Sequence, residues 1–222
     1  VAVQATKDVV VATTRNGSVN LRRDDGWQPI LGQSPPQPLG TPRRAVAALG
    51  GMVIAGTEGT SWLSVNLNDW REMAAPKGTK LTVEEFRSSE DGRALWAIST
   101  QRRLLAFDTT AWSWKEILSD KLTVEAATVV NLPNKTAELW VCTQDGAVHH
   151  VQGEKVTLWS QPSAAPASPA EIVGIVAVPN GFLAAFAPGH LAFFSALTRT
   201  WADLPSPAGK QRFTELVSLG TG

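Results

Sequence analysis

An all-β fold is predicted by three observations. Five tryptophans, Trp27, Trp70, Trp114, Trp159 and Trp201, recur at spacings of 43, 44, 45 and 42 residues. Each is followed three positions later by an apolar residue or a proline: Ile30, Met73, Ile117, Pro162 and Leu204. Short apolar segments run between them, broken by Gly, Asn, Asp and Pro, which is the pattern of strands joined by hairpins. A fixed period of about 20–50 residues marks a repeat architecture, and four strands in each unit of roughly 44 residues is the pattern of a propeller blade. The expectation is therefore a β-propeller of five four-stranded antiparallel blades plus one extra C-terminal strand, with membership of a larger six- or seven-bladed ring as the alternative. Residues 1–222 read as a single domain. The blades are expected at about 1–31, 43–75, 82–118, 123–162 and 170–205, with a closing strand at 212–219.

Each unit opens with two apolar segments around a turn. In the first, Val1–Ala5 and Val9–Ala12 flank Thr6-Lys7-Asp8; in the second, Ala45–Leu49 and Met52–Ala55 flank Gly50-Gly51. Later units turn at Glu90-Asp91-Gly92, Pro133-Asn134-Lys135 and Pro179-Asn180-Gly181. A second set of turns follows at Arg15-Asn16-Gly17, Glu58-Gly59, Gln101-Arg102, Gln144-Asp145-Gly146 and Pro188-Gly189. Asn-Gly and Asp-Gly favour hairpins because both residues tolerate positive φ. A threonine precedes four of these turns, at Thr14, Thr57, Thr100 and Thr143. A third strand alternates, as in Ser61–Val65 and Arg103–Phe107, and the tryptophan segment forms the fourth. The inner strands are apolar almost throughout, which suits sheets covered on both faces. The five periodic tryptophans are accordingly expected to be mostly buried between adjacent blades. No stretch carries apolar residues at helical spacing for long enough to form a helix.

Composition excludes several classes of partner. Lys+Arg and Asp+Glu both number 20, so the formal net charge is zero, which argues against a nucleic-acid partner, since that usually needs a basic face, and against binding to an anionic membrane surface. No apolar run approaches the roughly 18 residues of a membrane-spanning helix. The one cysteine, Cys142, sits in the apolar run Leu139–Cys142 and reads as a buried small hydrophobe. Asn16-Gly17-Ser18 and Asn134-Lys135-Thr136 fit the glycosylation acceptor pattern. No secretory signal is legible; an extracytoplasmic compartment (secreted, periplasmic or lumenal) is slightly favoured.

The segments Asp24-Asp25-Gly26-Trp27, Asn68-Asp69-Trp70, Asp108 to Trp114 and Thr198-Arg199-Thr200-Trp201 resemble the Asp-box, or BNR, repeat of sialidase-like propellers, which ends in Ser-x-Asp-x-Gly-x-Thr-Trp. The resemblance covers nearly the whole chain and implies the fold. Non-enzymatic members of that group include a photosystem assembly factor and sorting-receptor ectodomains. Sialidases use a tyrosine nucleophile, and this chain has no tyrosine, so that mechanism is excluded in its usual form.

His149 and His150 are adjacent on a strand and point to opposite faces, so they do not read as joint ligands of one metal. No phosphate loop and no Ser/His/Asp pattern stands out, and no cofactor is expected. The candidate binding residues lie at the starts of the first strands: Glu84 and Glu85, Glu125, Glu171 and Glu215, with Arg43 and Arg44 at the corresponding place in the second unit. In a propeller these positions gather at one mouth of the central channel. They predict an acidic mouth, partly offset by the arginines, that receives a cation or a basic segment of a partner. The long loops 33–38 and 163–169 lie between units, and loops on a rigid scaffold commonly carry binding. The expected function is a non-catalytic protein-interaction scaffold or assembly factor that binds another protein through one loop-rich face. A lectin-like, carbohydrate-binding propeller is the first alternative. A five-bladed glycoside hydrolase using two of these carboxylates is the second.

Overall fold

The computed structural model describes residues 2–5, 10–30, 39–76, 79–89, 91–118, 121–130, 138–160, 172–187, 189–205 and 213. The chain divides into two compact units, Val1–Ile117 and Leu118–Gly222. The first unit holds three sheets: β1 (Ala2–Ala5), β2 (Val10–Thr13), β3 (Val19–Arg23) and β4 (Gly26–Pro29); β5 (Pro42–Ala48), β6 (Gly51–Gly56), β7 (Ser61–Ser64) and β8 (Arg71–Met73); β9 (Val83–Ser88), β10 (Leu95–Ser99), β11 (Leu104–Asp108) and β12 (Ser113–Glu116). The second unit holds two: β13 (Val124–Val130), β14 (Glu138–Thr143), β15 (Val148–Gln152) and β16 (Lys155–Ser160); β17 (Ile172–Val178), β18 (Gly181–Phe186), β19 (His190–Ser195) and β20 (Thr200–Leu204). Every sheet is an antiparallel meander in chain order. The expected closing strand at 212–219 lies outside the described residues. Among the described residues no helix is long and apolar enough to cross a membrane.

The second strand of each sheet carries the core. Every residue of β10 and β14 is buried, as are all but the first of β6. Strand side chains alternate between faces, so a strand buried throughout needs cover on both. Within the first unit, Val11, Val19 and Leu21 of the first sheet pack with Met52 and Ile54 of the second. Val53, Leu63 and Met73 of the second pack in turn with Phe86, Leu95 and Trp114 of the third. Within the second unit, Trp140, Cys142 and Val148 pack with Phe182, Ala192 and Phe194. Trp140 is the aromatic hub there, with ring centroids 4.5 Å from Trp159 and 5.4 Å from Phe194. Burial pushes the Cys142 thiol up to about 12, so it stays protonated.

Of the periodic tryptophans, Trp27 departs from expectation and the other four are covered to different degrees. Trp114 alone is fully buried, at 2% exposure, and its indole Nε1 donates to Ser61 Oγ at 2.8 Å. Trp70, Trp159 and Trp201 are half-buried, and Trp27 is 49% exposed. The fourth strand is the outermost of its sheet, and exposed positions recur along β4 and β20; β12 is bridged on its far side, where the Trp114 amide donates to the Ala74 carbonyl at 2.8 Å. The fully buried indoles the period does not mark, Trp96 and Trp140, sit on second strands.

Trp114→Ala should destabilise the protein by about 3–5 kcal/mol, the usual penalty for a large core truncation. Trp27→Ala should cost less, about 1–2 kcal/mol, because about half of its surface stays in water. Urea unfolding of both variants checks the contrast; equal losses would contradict the burial described.

Candidate functional site

The first strands of four sheets begin with an irregularity, whereas β1 pairs with β2 in an unbroken register. The register against the second strand shifts between Pro42 and Arg44, between Val83 and Glu85, between Val124 and Ala126, and between Ile172 and Gly174. Arg43, Glu84, Glu125 and Val173 are therefore the extra residues of four equivalent β-bulges. A bulge leaves its residue out of the ladder and re-aims its side chain. The carbonyl just before each strand closes the turn: Thr41, Thr82 and Thr123 accept from the amides of Thr57, Thr100 and Gln144 at 2.8–3.0 Å. Two of these starts are the identical pentapeptides Lys80–Glu84 and Lys121–Glu125. That repeat was legible in the sequence, and it fixes the equivalence of Glu84 and Glu125 more sharply than turn alignment does. The position equivalent to them in the fifth sheet is Val173. Glu171 and Glu215 lie outside the described residues.

The turns between second and third strands stand at the same end. Each needs a left-handed residue, supplied by Gly17 (φ 88), Gly59 (φ 76), Gly146 (φ 84) and Gly189 (φ 114). Each of these residues bonds its amide back to the carbonyl three positions earlier. A side chain at Gly17 would strike Thr41, and one at Gly59 would strike Lys80, so the bare backbone lets the next strand start close by. In the third sheet the slot holds Arg102 instead, at φ 59. A non-glycine residue there costs roughly 1–2 kcal/mol. Arg102 Nη2 lies 3.3 Å from Glu84 Oε1. Backbone strain thus coincides with a guanidinium placed on a bulge carboxylate.

In the first unit, β5 and β9 lie side by side and bring four of the expected residues together. Arg44 donates through Nε to the carbonyl of Glu84, and through Nη1 to that of Arg43 at 2.9 Å. Arg87 lies 2.5 Å from Glu85. Arg43 is exposed and makes no ion pair among the described residues. Burial holds the Glu85 carboxyl above the usual range, opposed by Arg87; the charge of Glu84 raises it less than burial does. The expected crowd of acids is, in this unit, an alternation of acids and arginines. Arg87 and Arg102 escaped the sequence reading because their roles depend on which strand starts lie together. Glu125 occupies the equivalent bulge of β13 in the second unit, half-buried.

No family model matches the chain, and no curated protein does. Solved structures do. YCF48 from Cyanidioschyzon merolae is similar at 14% identity and a TM-score of 0.60, over 91% of this chain and 71% of that one. A structure of YCF48 bound to D1 peptide is similar at 15% identity and a TM-score of 0.61, over 90% of this chain and 65% of that one. The computationally designed Ika8 protein gives 12% identity and a TM-score of 0.68, over 99% of this chain and 65% of that one. The chain thus spans about two thirds of the length of these structures. At such identities the likeness concerns the fold alone. With five four-stranded antiparallel sheets, the chain has the β-propeller fold.

Two outcomes follow. Arg102→Gly should stabilise the fold by up to about 1 kcal/mol, because relief of the left-handed strain outweighs an exposed ion pair; thermal unfolding checks the sign. The second concerns pH. A carboxyl raised in the folded state contributes stability that is complete below its ordinary pKa and is lost as pH rises through the folded value. Relative to the parent, Glu85→Gln should therefore gain stability between about pH 4 and pH 7. Urea unfolding across that range tests it, and a parallel pair of profiles would contradict the burial of Glu85.

Proposed function

We propose that this chain is a non-catalytic protein-interaction scaffold that holds a segment of a partner protein at the bulged starts of β5 and β9 in its first unit. The observation that carries the reading is Arg102, kept in a strained turn slot against Glu84 where the other four turns use glycine. Residues held in sparsely populated backbone conformations cluster at functional positions. Arg43, exposed and unpaired by any described carboxylate, offers a cation to an acidic side chain of the partner. Within the second unit, Glu125 offers the opposite charge to a partner at the equivalent bulge of β13. Glu84 and Glu85 are engaged by Arg102 and Arg87, which suits recognition better than general acid–base work. That YCF48 has been solved bound to a peptide supports a peptide-like ligand on this fold.

Kinship with the Asp-box propellers is part of the proposal. The hairpins between third and fourth strands keep a left-handed residue at Leu67, Trp112 and Arg199. Asn66 Oδ1 accepts from the amides of Asn68 and Asp69, and Asp108 Oδ1 from those of Thr110 and Ala111. A short polar side chain tying down a loop in this way is the physical content of such a motif.

The test is affinity capture from the native source with the parent chain and an Arg43→Glu, Glu125→Gln variant of equal melting temperature. The expected result is a partner recovered by the parent and reduced about tenfold by the variant, as expected when charge complementarity is reversed at an interface. Equal recovery would move the site elsewhere. Clear binding on a glycan array, insensitive to these substitutions, would favour the carbohydrate-binding alternative.

A further inference from the structure

Within the first unit a cleft of 260 Å³ opens beside β7 and β8, bounded by the turn at Glu58-Gly59 and the approach to β9. We infer that this cleft receives a basic side chain, arginine or lysine, from a partner protein. Its floor is apolar: Met73 and Leu81 are buried and Ala75 is half-buried. Its rim carries two exposed carboxylates, Glu58 and Glu72, neither of which makes an ion pair among the described residues. Lysine and arginine have the matching form, an aliphatic stem with a cationic head.

Other ligand classes fit less well. Lys80 is the one cation in the lining, so an anion would meet two negative charges for one positive. A sugar would want an aromatic face, and none of the lining residues supplies one; Trp114 lies beneath Ser61, bonded to its hydroxyl. An apolar ligand would strip water from the carboxylates and hydroxyls without replacing it. The cleft is also preformed. Ser61 accepts from Trp114 Nε1 at 2.8 Å, the Leu81 amide bonds the Gly59 carbonyl at 3.1 Å, and the Glu72 carbonyl accepts from Trp112 Nε1 at 2.7 Å. Arg71, which neighbours Glu72 in the chain, is stacked on Trp112 at 3.7 Å and leaves that carboxylate unpaired.

The inference rests on the reading of the chain as a partner-binding scaffold, but it can be tested without the partner. N-acetyl-arginine amide, N-acetyl-lysine amide and, as a neutral control, N-acetyl-glutamine amide are titrated into the full chain and followed by amide NMR shifts. The expected result is saturable movement of the Gly59, Thr60 and Leu81 signals with both cations and none with the control. A Glu58→Gln, Glu72→Gln variant should weaken binding about tenfold, as for the loss of two exposed ion pairs. Lys80→Gln should tighten it by removing the competing cation. No saturable shift, the same shift with all three probes, or unchanged affinity in the double variant would overturn the inference. An intact titration beside a failed partner capture leaves this site standing and removes the scaffold reading. Capture that Arg43→Glu abolishes, beside a silent titration, does the reverse.

Discussion

The structure depends on second strands that are closed to water on both faces. Trp96, Ala97 and Ile98 of β10, and Trp140, Val141 and Cys142 of β14, alternate in direction yet are all buried. A single sheet cannot achieve that; it needs a neighbour on each side, as β6 has within the first unit, with Met52 and Ile54 packed against the first sheet and Val53 and Ala55 against the third. The same demand expels charge from the middle of the sheets to strand ends, first strands and fourth strands. Among the described residues, a buried carboxylate–imidazole pair departs from this pattern. Glu138 and His150 lie 2.6 Å apart at the end of β14 and on β15, with the imidazole 4.6 Å from the Trp159 ring. A buried carboxylate is tolerable only with such a partner. The adjacent His149 has none: its Nε2 is unpaired, and burial lowers its pKa, so it stays neutral.

The hairpins show how a repeat retains its shape while its residues drift. Turns between second and third strands keep glycine in four of five cases, because the following strand start packs against the missing side chain at Gly17 and Gly59. The outer hairpins face fewer neighbours. There the left-handed position passes to Leu67, Trp112 and Arg199, whose side chains gain packing or stacking instead: Trp112 against Phe107 and Arg71, Arg199 over Trp159. The backbone conformation outlasts the glycine that would mark it in the sequence.

The strand starts combine both effects. A bulge at Arg43, Glu84 and Glu125 frees one residue per sheet from the ladder, so that position tolerates any side chain. Charge fills it, and the pairing of charges then depends on which sheets are neighbours. Around β5 and β9 that gives Arg44 on the Glu84 carbonyl, Arg102 on the Glu84 carboxylate and Arg87 on Glu85.

The sequence by itself determined what is local and periodic. Hairpin turns, apolar second strands and a 42–45 residue repeat are written in nearest-neighbour preferences, so the class, the five units and their strand order were legible. The starts of the first strands were legible as candidate positions too, since Lys80–Glu84 and Lys121–Glu125 are the same five residues. Tertiary structure decided the rest. Burial of a tryptophan depends on what covers its strand, which separates Trp114 from Trp27 although both sit at the same point of the period. The register shift that turns Arg43 and Glu84 out of the ladder, and the 40-residue reach from Arg44 to Glu84, are properties of adjacent strands. Local sequence carries no record of them, because pairing between distant segments is settled only when the sheets pack.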